Sequence, residues 1–211
     1  RSSILLHRSI IMPRIYNNPY HVASTVNTHC IWPAAFTALE ADAIVAECEK
    51  IATSPAQLFN GSNVSWRRNN ISWHHVNTNT SWIFEKLNQL FEEANNLFFQ
   101  YNLLGFDHFQ FGVYNVGDFY NYHSDVYYNK PPNEKNYLCR KLSVSILLND
   151  SAEFDGGELE LCIGNPDQPT AHKLNKGDAV FFPSYLLHRV APITRGTRKT
   201  LVIWALGPKW V

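Results

Sequence analysis

Polar and apolar positions change period part-way along this chain, and the change separates two structural regimes. Between residues 37 and 101 apolar side chains recur in helical steps. Leu39, Ile44, Cys48 and Ile51 form one series, and Ile83, Leu87, Leu90, Ala94, Leu97 and Tyr101 form a second, better marked one. Such spacing gathers side chains on one stripe of a helix, so helices are predicted from Thr37 to about Ala52 and from about Ser81 to Tyr101. Thr37-Ala-Leu-Glu40 has capping-box spacing, in which hydroxyl and carboxylate each satisfy a free N–H at a helix start. Between the two helices, Val64–Arg68 and Ile71–His75 read as short extended segments. From Phe106 onward the runs shorten and fill with β-branched and aromatic residues: Phe109–Tyr114, Arg140–Leu148, Glu158–Cys162, Ala179–Phe182 and Lys199–Leu206. Asn-Asp, Gly-Gly, Gly-Asn-Pro, Lys-Gly-Asp and Arg-Gly-Thr turn signals separate them.

Two helices ahead of many short strands predict an α+β, mainly β, protein in which helices back one sheet of a double-sheet jelly roll. One domain is expected over residues 1–211, with an N-terminal extension (1–36), a helical support region (37–105) and a jelly-roll core (106–206). Val126–Leu138 is polar, contains Pro131-Pro132, and reads as a long loop inserted between strands.

Composition narrows the function classes. Hydrophobic residues make up 45% and charged residues 17%, enough apolar material for a core and too little charge for a disordered chain. Eighteen Lys and Arg balance eighteen Asp and Glu, which leaves no electrostatic footprint for a nucleic acid or an anionic membrane. Neither is expected as a partner. Cys30, Cys48, Cys139 and Cys162 form no CxxC pair, so reduced thiols and a cytoplasmic location are expected. Residues 1–11 lack a signal peptide's continuous apolar centre and read as vector-derived or as part of a truncated leader.

The candidate chemistry lies in the second half. His123-Ser124-Asp125 places two metal-competent side chains at i and i+2, on one face of an extended segment. His188 supplies a third, ten residues before Arg198. Two histidines and a carboxylate form the facial set that holds non-haem Fe(II) and leaves positions open for a cosubstrate and O2. Arg198 opens the strand Arg198-Lys-Thr-Leu-Val-Ile-Trp204; a guanidinium turned into an apolar barrel demands an anion, which the dicarboxylate 2-oxoglutarate would provide. A surface ion pair is the alternative for Arg198. Arg189, Arg195 and Lys199 have the wrong parity or looser placement. Trp66, Trp73 and Trp82 read as packing aromatics, His108 and His172 as residues near strand ends, and Arg67 and Arg68 as a solvated face.

Tyr114-Asn-Val-Gly-Asp-Phe-Tyr-Asn-Tyr-His123-Ser-Asp125, Arg140–Asn149, Phe154-Asp-Gly-Gly-Glu-Leu-Glu-Leu161, Gly177–Ser184 and Leu187–Arg198 resemble, in order and spacing, the motifs of the prolyl 4-hydroxylase-like 2-oxoglutarate- and Fe(II)-dependent oxygenases. The resemblance covers about residues 106–206. It implies a double-stranded β-helix, with His123, Asp125 and His188 on iron and Arg198 on the distal carboxylate of 2-oxoglutarate. Tyr114 would reach the same cosubstrate and Trp204 would wall its pocket. Many relatives carry Lys at the position of Arg198, and some a Tyr where Leu147 falls. Ser143 and Ser145 are candidates for the hydrogen bond that such a Tyr would make, unless they are small packing residues bonded to backbone. The implied activity is hydroxylation of a substrate, a peptidyl proline by preference, with decarboxylation of 2-oxoglutarate to succinate, O2 as oxidant and ascorbate as a further candidate cofactor. A peptide or protein partner follows, with Tyr127 and Tyr128 in the Val126–Leu138 loop packing on the pyrrolidine ring. The rivals are hydroxylation of a non-prolyl or free amino acid, a cupin-like metalloenzyme without 2-oxoglutarate, and a non-catalytic jelly-roll binding module.

Overall fold

The computed structural model describes residues 27–57, 65–126, 138–165 and 167–209. Its elements follow the chain as β1 (Cys30–Trp32), α1 (Ala38–Cys48), β2 (Ser54–Pro55), β3 (Arg67–Arg68), β4 (Asn70–His74), α2 (Ser81–Ala94), β5 (Gly105–Phe106), β6 (Phe109–Tyr114), β7 (Phe119–His123), β8 (Cys139–Leu147), β9 (Phe154–Gly156), β10 (Leu159–Leu161), β11 (Thr170–His172), β12 (Ala179–Pro183), β13 (His188–Val190), β14 (Ile193–Gly196) and β15 (Arg198–Gly207).

The strands form two facing sheets and a small ribbon. The large sheet runs β1-β12-β8-β15-β6-β4-β2 with β5 beside β15, the smaller runs β11-β10-β13-β7-β3, and β14 pairs with β9. Strand parity assigns each face its neighbours. On β8, Leu142, Val144 and Ile146 join Leu87, Phe91 and Ile44 of the helices in one core, while Leu147 joins Leu159, Leu161, Val180 and Phe182 in a second core between the sheets. β12 divides likewise: Phe181 faces the helical layer and Phe182 the space between the sheets. A strand buried on both faces reads as a continuous apolar run, which is why Ala179–Pro183 shows no alternation.

The capping box forms: the Glu40 N–H donates to Thr37 Oγ1 at 3.2 Å, and the Thr37 N–H donates to Glu40 Oε2 at 2.7 Å. Helix α1 ends at Cys48, short of the predicted Ala52, and leaves Leu39 and Ile51 exposed. The second helix departs from its pattern at Asn95. A π-helical turn, Asn95–Phe99, follows α2, and its extra residue per turn rotates Leu97 out to solvent, where it is 66% exposed. Asn95 closes the turn by accepting from the Tyr101 N–H and donating to the Tyr101 carbonyl, at 2.8 and 2.9 Å.

Gly177 ties the helical layer to the sheet. Its carbonyl accepts from the Phe36 N–H at 3.0 Å, its N–H donates to Leu147 at 2.7 Å, and its φ is +87°. A Cβ there would lie 1.9 Å from the Phe36 oxygen. Gly177→Ala should therefore lower stability by at least about 1–3 kcal/mol, the range for a strained backbone position, measured as a fall in the denaturation midpoint.

Among the described residues no helix is long and apolar enough to cross a membrane, and all four cysteines are free thiols.

Candidate active site

The smaller sheet brings the two distant histidines together. His123 ends β7, His188 opens β13, and the two are register partners, with ring centroids 4.2 Å apart. Asp125 lies just past β7, where its N–H donates to the Ser184 carbonyl at 2.8 Å and turns its carboxylate towards both rings. Oδ1 is 3.8 Å from His123 Nε2, and Oδ2 is 3.6 Å from His188 Nε2. One ligand atom from each residue falls within 4.8 Å of the others.

Hydrogen bonding fixes the tautomers. His123 Nδ1 lies 2.7 Å from the Asn121 carbonyl and His188 Nδ1 lies 2.8 Å from the Leu186 carbonyl. A carbonyl only accepts, so each Nδ1 carries a proton and each Nε2 is the ring nitrogen turned towards Asp125. Burial, reinforced by neighbouring His188, pushes His123 down to about 3, which keeps that imidazole neutral and able to ligate. Burial opposes charge on Asp125, but His188, His123, Arg140 and a 2.7 Å hydrogen bond from Ser143 together hold its pKa below the ordinary carboxylate range. The result is two imidazole nitrogens and one anionic oxygen on a common face, a set that fits Fe(II) with open coordination positions.

Ser143 serves this carboxylate. Its hydroxyl donates to Asp125 Oδ2 and lies 2.9 Å from the Ser184 hydroxyl, so it orients that carboxylate. Partners of this kind stiffen and tune a metal site; Ser143→Ala should weaken metal retention about 10- to 100-fold, read by competition with a chelator. Ser145, two residues on and on the same face, instead lines the open cavity.

That cavity measures about 610 Å³ and is lined by His123, Asp125 and His188 together with Tyr114, Ser145 and Trp204. Tyr114 pairs in register with Arg198 across β6 and β15, and its ring lies 5.7 Å from the guanidinium carbon. Arg198 is 3% exposed and lines a second cavity of about 450 Å³ with Leu147 and Glu158. Among the described residues it forms no salt bridge, and burial pulls its pKa down. By contrast Arg189 pairs with Glu160, Arg195 with Asp155 and Lys199 with Glu49. Arg198 is thus a buried cation facing a cavity, not half of a surface pair.

Three expectations need correction or restriction. Arg67 does not belong to a solvated face: it is 8% exposed and lines the large cavity, while Arg68 points outward to Asp118. Trp73 also lines that cavity and Trp66 is exposed; of the three tryptophans only Trp82 packs against the core. Tyr127 and Tyr128 lie outside the described residues. Period-two alternation contained the signal for Arg67, since adjacent residues of one strand face opposite ways.

Residues 109–206 match the model of the 2OG-Fe(II) oxygenase superfamily. The matched stretch contains His123, Asp125, His188 and Arg198. A PKHD-type hydroxylase of Teredinibacter turnerae is 41% identical over 95 residues, which cover 45% of this chain and 41% of that protein. The chain spans about two-fifths of the length of the curated relatives it matches. Among solved structures, a Pseudomonas putida prolyl-4-hydroxylase superposes with a TM-score of 0.67 at 22% identity, over 87% of this chain and 94% of that one. A Trichoplax adhaerens prolyl hydroxylase, in complex with a hypoxia inducible factor peptide fragment, gives 0.66 at 19% identity, over 85% and 83%. At such identities the likeness is one of fold. The two sheets form a double-stranded β-helix with the helices backing one of them, and the likeness extends into the helical half that the family model does not reach.

Proposed function

We propose that this chain is a 2-oxoglutarate- and Fe(II)-dependent dioxygenase that hydroxylates prolyl residues in a peptide or protein. The observation that carries the reading is the presence, in one barrel, of the His123, Asp125 and His188 set and a buried Arg198 that forms no salt bridge among the described residues. A cupin-like metal site has no need of such a cation. Prolyl specificity is supported by the solved structures with the same fold.

Each residue then has a definite task. His123 and His188 present Nε2 lone pairs, and Asp125 presents one carboxylate oxygen while Ser143 holds the other. Iron bound there supplies the redox chemistry that couples O2 and decarboxylation of 2-oxoglutarate to hydroxyl insertion. Arg198 receives the distal carboxylate of the cosubstrate; the guanidinium offers a planar pair of donors and keeps its charge when desolvated. Tyr114, against Arg198, and Trp204 wall the cavity that holds His123, Asp125 and His188, and Ser145 offers a hydroxyl to the same cavity. The lining of Leu159, Phe182, Val190 and Val202 limits water near the reacting atoms.

Incubating the iron-loaded protein with proline-rich peptides and with free amino acids, then weighing the products, tests the proposal. A gain of one oxygen on a peptidyl proline, matched by succinate, is expected. Oxygen only on free amino acids or on non-prolyl residues would contradict the substrate reading and leave the oxygenase chemistry intact.

A further inference from the structure

Two cations, Arg67 and Arg140, line the cavity that holds His123, Asp125 and His188, and the chemistry above uses the charge of neither. Arg67 lies on β3, at the edge of the smaller sheet, paired in register with Tyr120. Its guanidinium stacks on the Tyr120 ring at 4.3 Å, and that ring stacks on the His123 imidazole at 3.5 Å. The charge therefore sits two layers from a metal-competent side chain. Its hydrogen-bond partners are neutral: Nε donates to Asn69 Oδ1 and Nη2 to Gln110 Oε1, both at 2.7 Å. Among the described residues no carboxylate pairs with Arg67, and Nη1 has no hydrogen-bond partner.

The rest of the wall leaves that charge uncompensated. Arg140, the other cation lining the cavity, already pairs with Asp107 at 2.8 Å and stacks over Trp204 at 3.6 Å. Among the described residues lining the cavity Asp125 is the one acidic residue, and its oxygens face His123, His188 and Ser143. A desolvated guanidinium held by neutral acceptors, with donors to spare, is stabilised most by an arriving anion. Its neighbour shows the contrast, since Arg68 on the outer face of the same strand has Asp118.

We propose that Arg67 reads a carboxylate on the substrate, so that the preferred chain carries one close to the residue to be hydroxylated. The proposal rests on the prolyl reading and narrows it to acidic or carboxyl-terminal prolyl sequences. Two sources supply the same chemistry, a free α-carboxylate or a neighbouring Asp or Glu side chain.

The test uses three fluorescent proline peptides of equal length: one amidated and neutral, one amidated with Glu beside the proline, and one ending in proline with a free carboxylate. Binding is read by anisotropy with the intact chain, and oxidation by mass in parallel. The carboxylate source that Arg67 reads should bind roughly thirty-fold tighter than the neutral peptide, as loss of one desolvated charge pair implies. Arg67→Gln should erase that preference, Arg67→Lys should keep part of it, and Arg68→Gln should keep it whole. Equal binding of all three peptides to the unaltered chain, or a preference that survives Arg67→Gln, would overturn the proposal. The first of these outcomes does not depend on any variant folding. A carboxylate preference without oxygen insertion would uphold the role of Arg67 and count against prolyl hydroxylation.

Discussion

His188→Ala is expected to reduce both iron retention and succinate formation to background while the protein stays folded. The imidazole supplies one of three ligand atoms on a single face, and its Nε2 is held in position by the Nδ1 bond to the Leu186 carbonyl. Without it, Asp125 and His123 offer two donors, too few to fix an iron ion in one orientation. The structural penalty is modest, because the ring contributes a stack on Phe182 and one hydrogen bond, together about 1–3 kcal/mol. Circular dichroism and metal analysis on the same sample separate the two effects. Succinate production at the unaltered rate would remove His188 from the site.

Arg198→Ala should raise the 2-oxoglutarate concentration needed for half-maximal turnover by about 30- to 4,000-fold, the equivalent of 2–5 kcal/mol for a truncated buried charge pair. Stability without ligand should change little or rise, since the substitution removes a cation that burial disfavours and that forms no salt bridge among the described residues. Addition of 2-oxoglutarate should raise the melting temperature of the unaltered chain and fail to do so for Arg198→Ala, because a ligand stabilises only through the state it binds. A larger loss on Arg195→Ala would place the anion site at the β9–β14 ribbon instead.

Local signals carried much of this structure. The capping box at Thr37, the strand Phe109–Tyr114 and the parity of Arg198 against Lys199 are properties of neighbours in sequence, and each reappears in place. Less legible was whatever depended on partners far along the chain. The π-turn at Asn95 depends on contacts with Tyr101 that periodicity does not encode, and it carried Leu97 off the predicted apolar stripe. The role of Ser143 required β8 to lie beside the Asp125 turn, and no spacing within Arg140–Leu148 announces that. Arg67-Arg68 looked like a solvated pair because charged doublets usually are; the pairing of β3 with β7 made one of them an interior residue. His123 and His188 are register partners from distant stretches, so their geometry waited on the sheet, although their residue types and order were visible beforehand.

The central claim is that one barrel joins a three-ligand iron site to an anion site for 2-oxoglutarate. Anaerobic titration of the protein with Fe(II) and then 2-oxoglutarate, followed through the weak visible charge-transfer band of the chelate, tests that join directly. The account predicts a band that needs both additions, saturates at one equivalent of iron, vanishes in His188→Ala, and shifts to much higher 2-oxoglutarate in Arg198→Ala. Stoichiometric iron binding with no band at any 2-oxoglutarate concentration would contradict it.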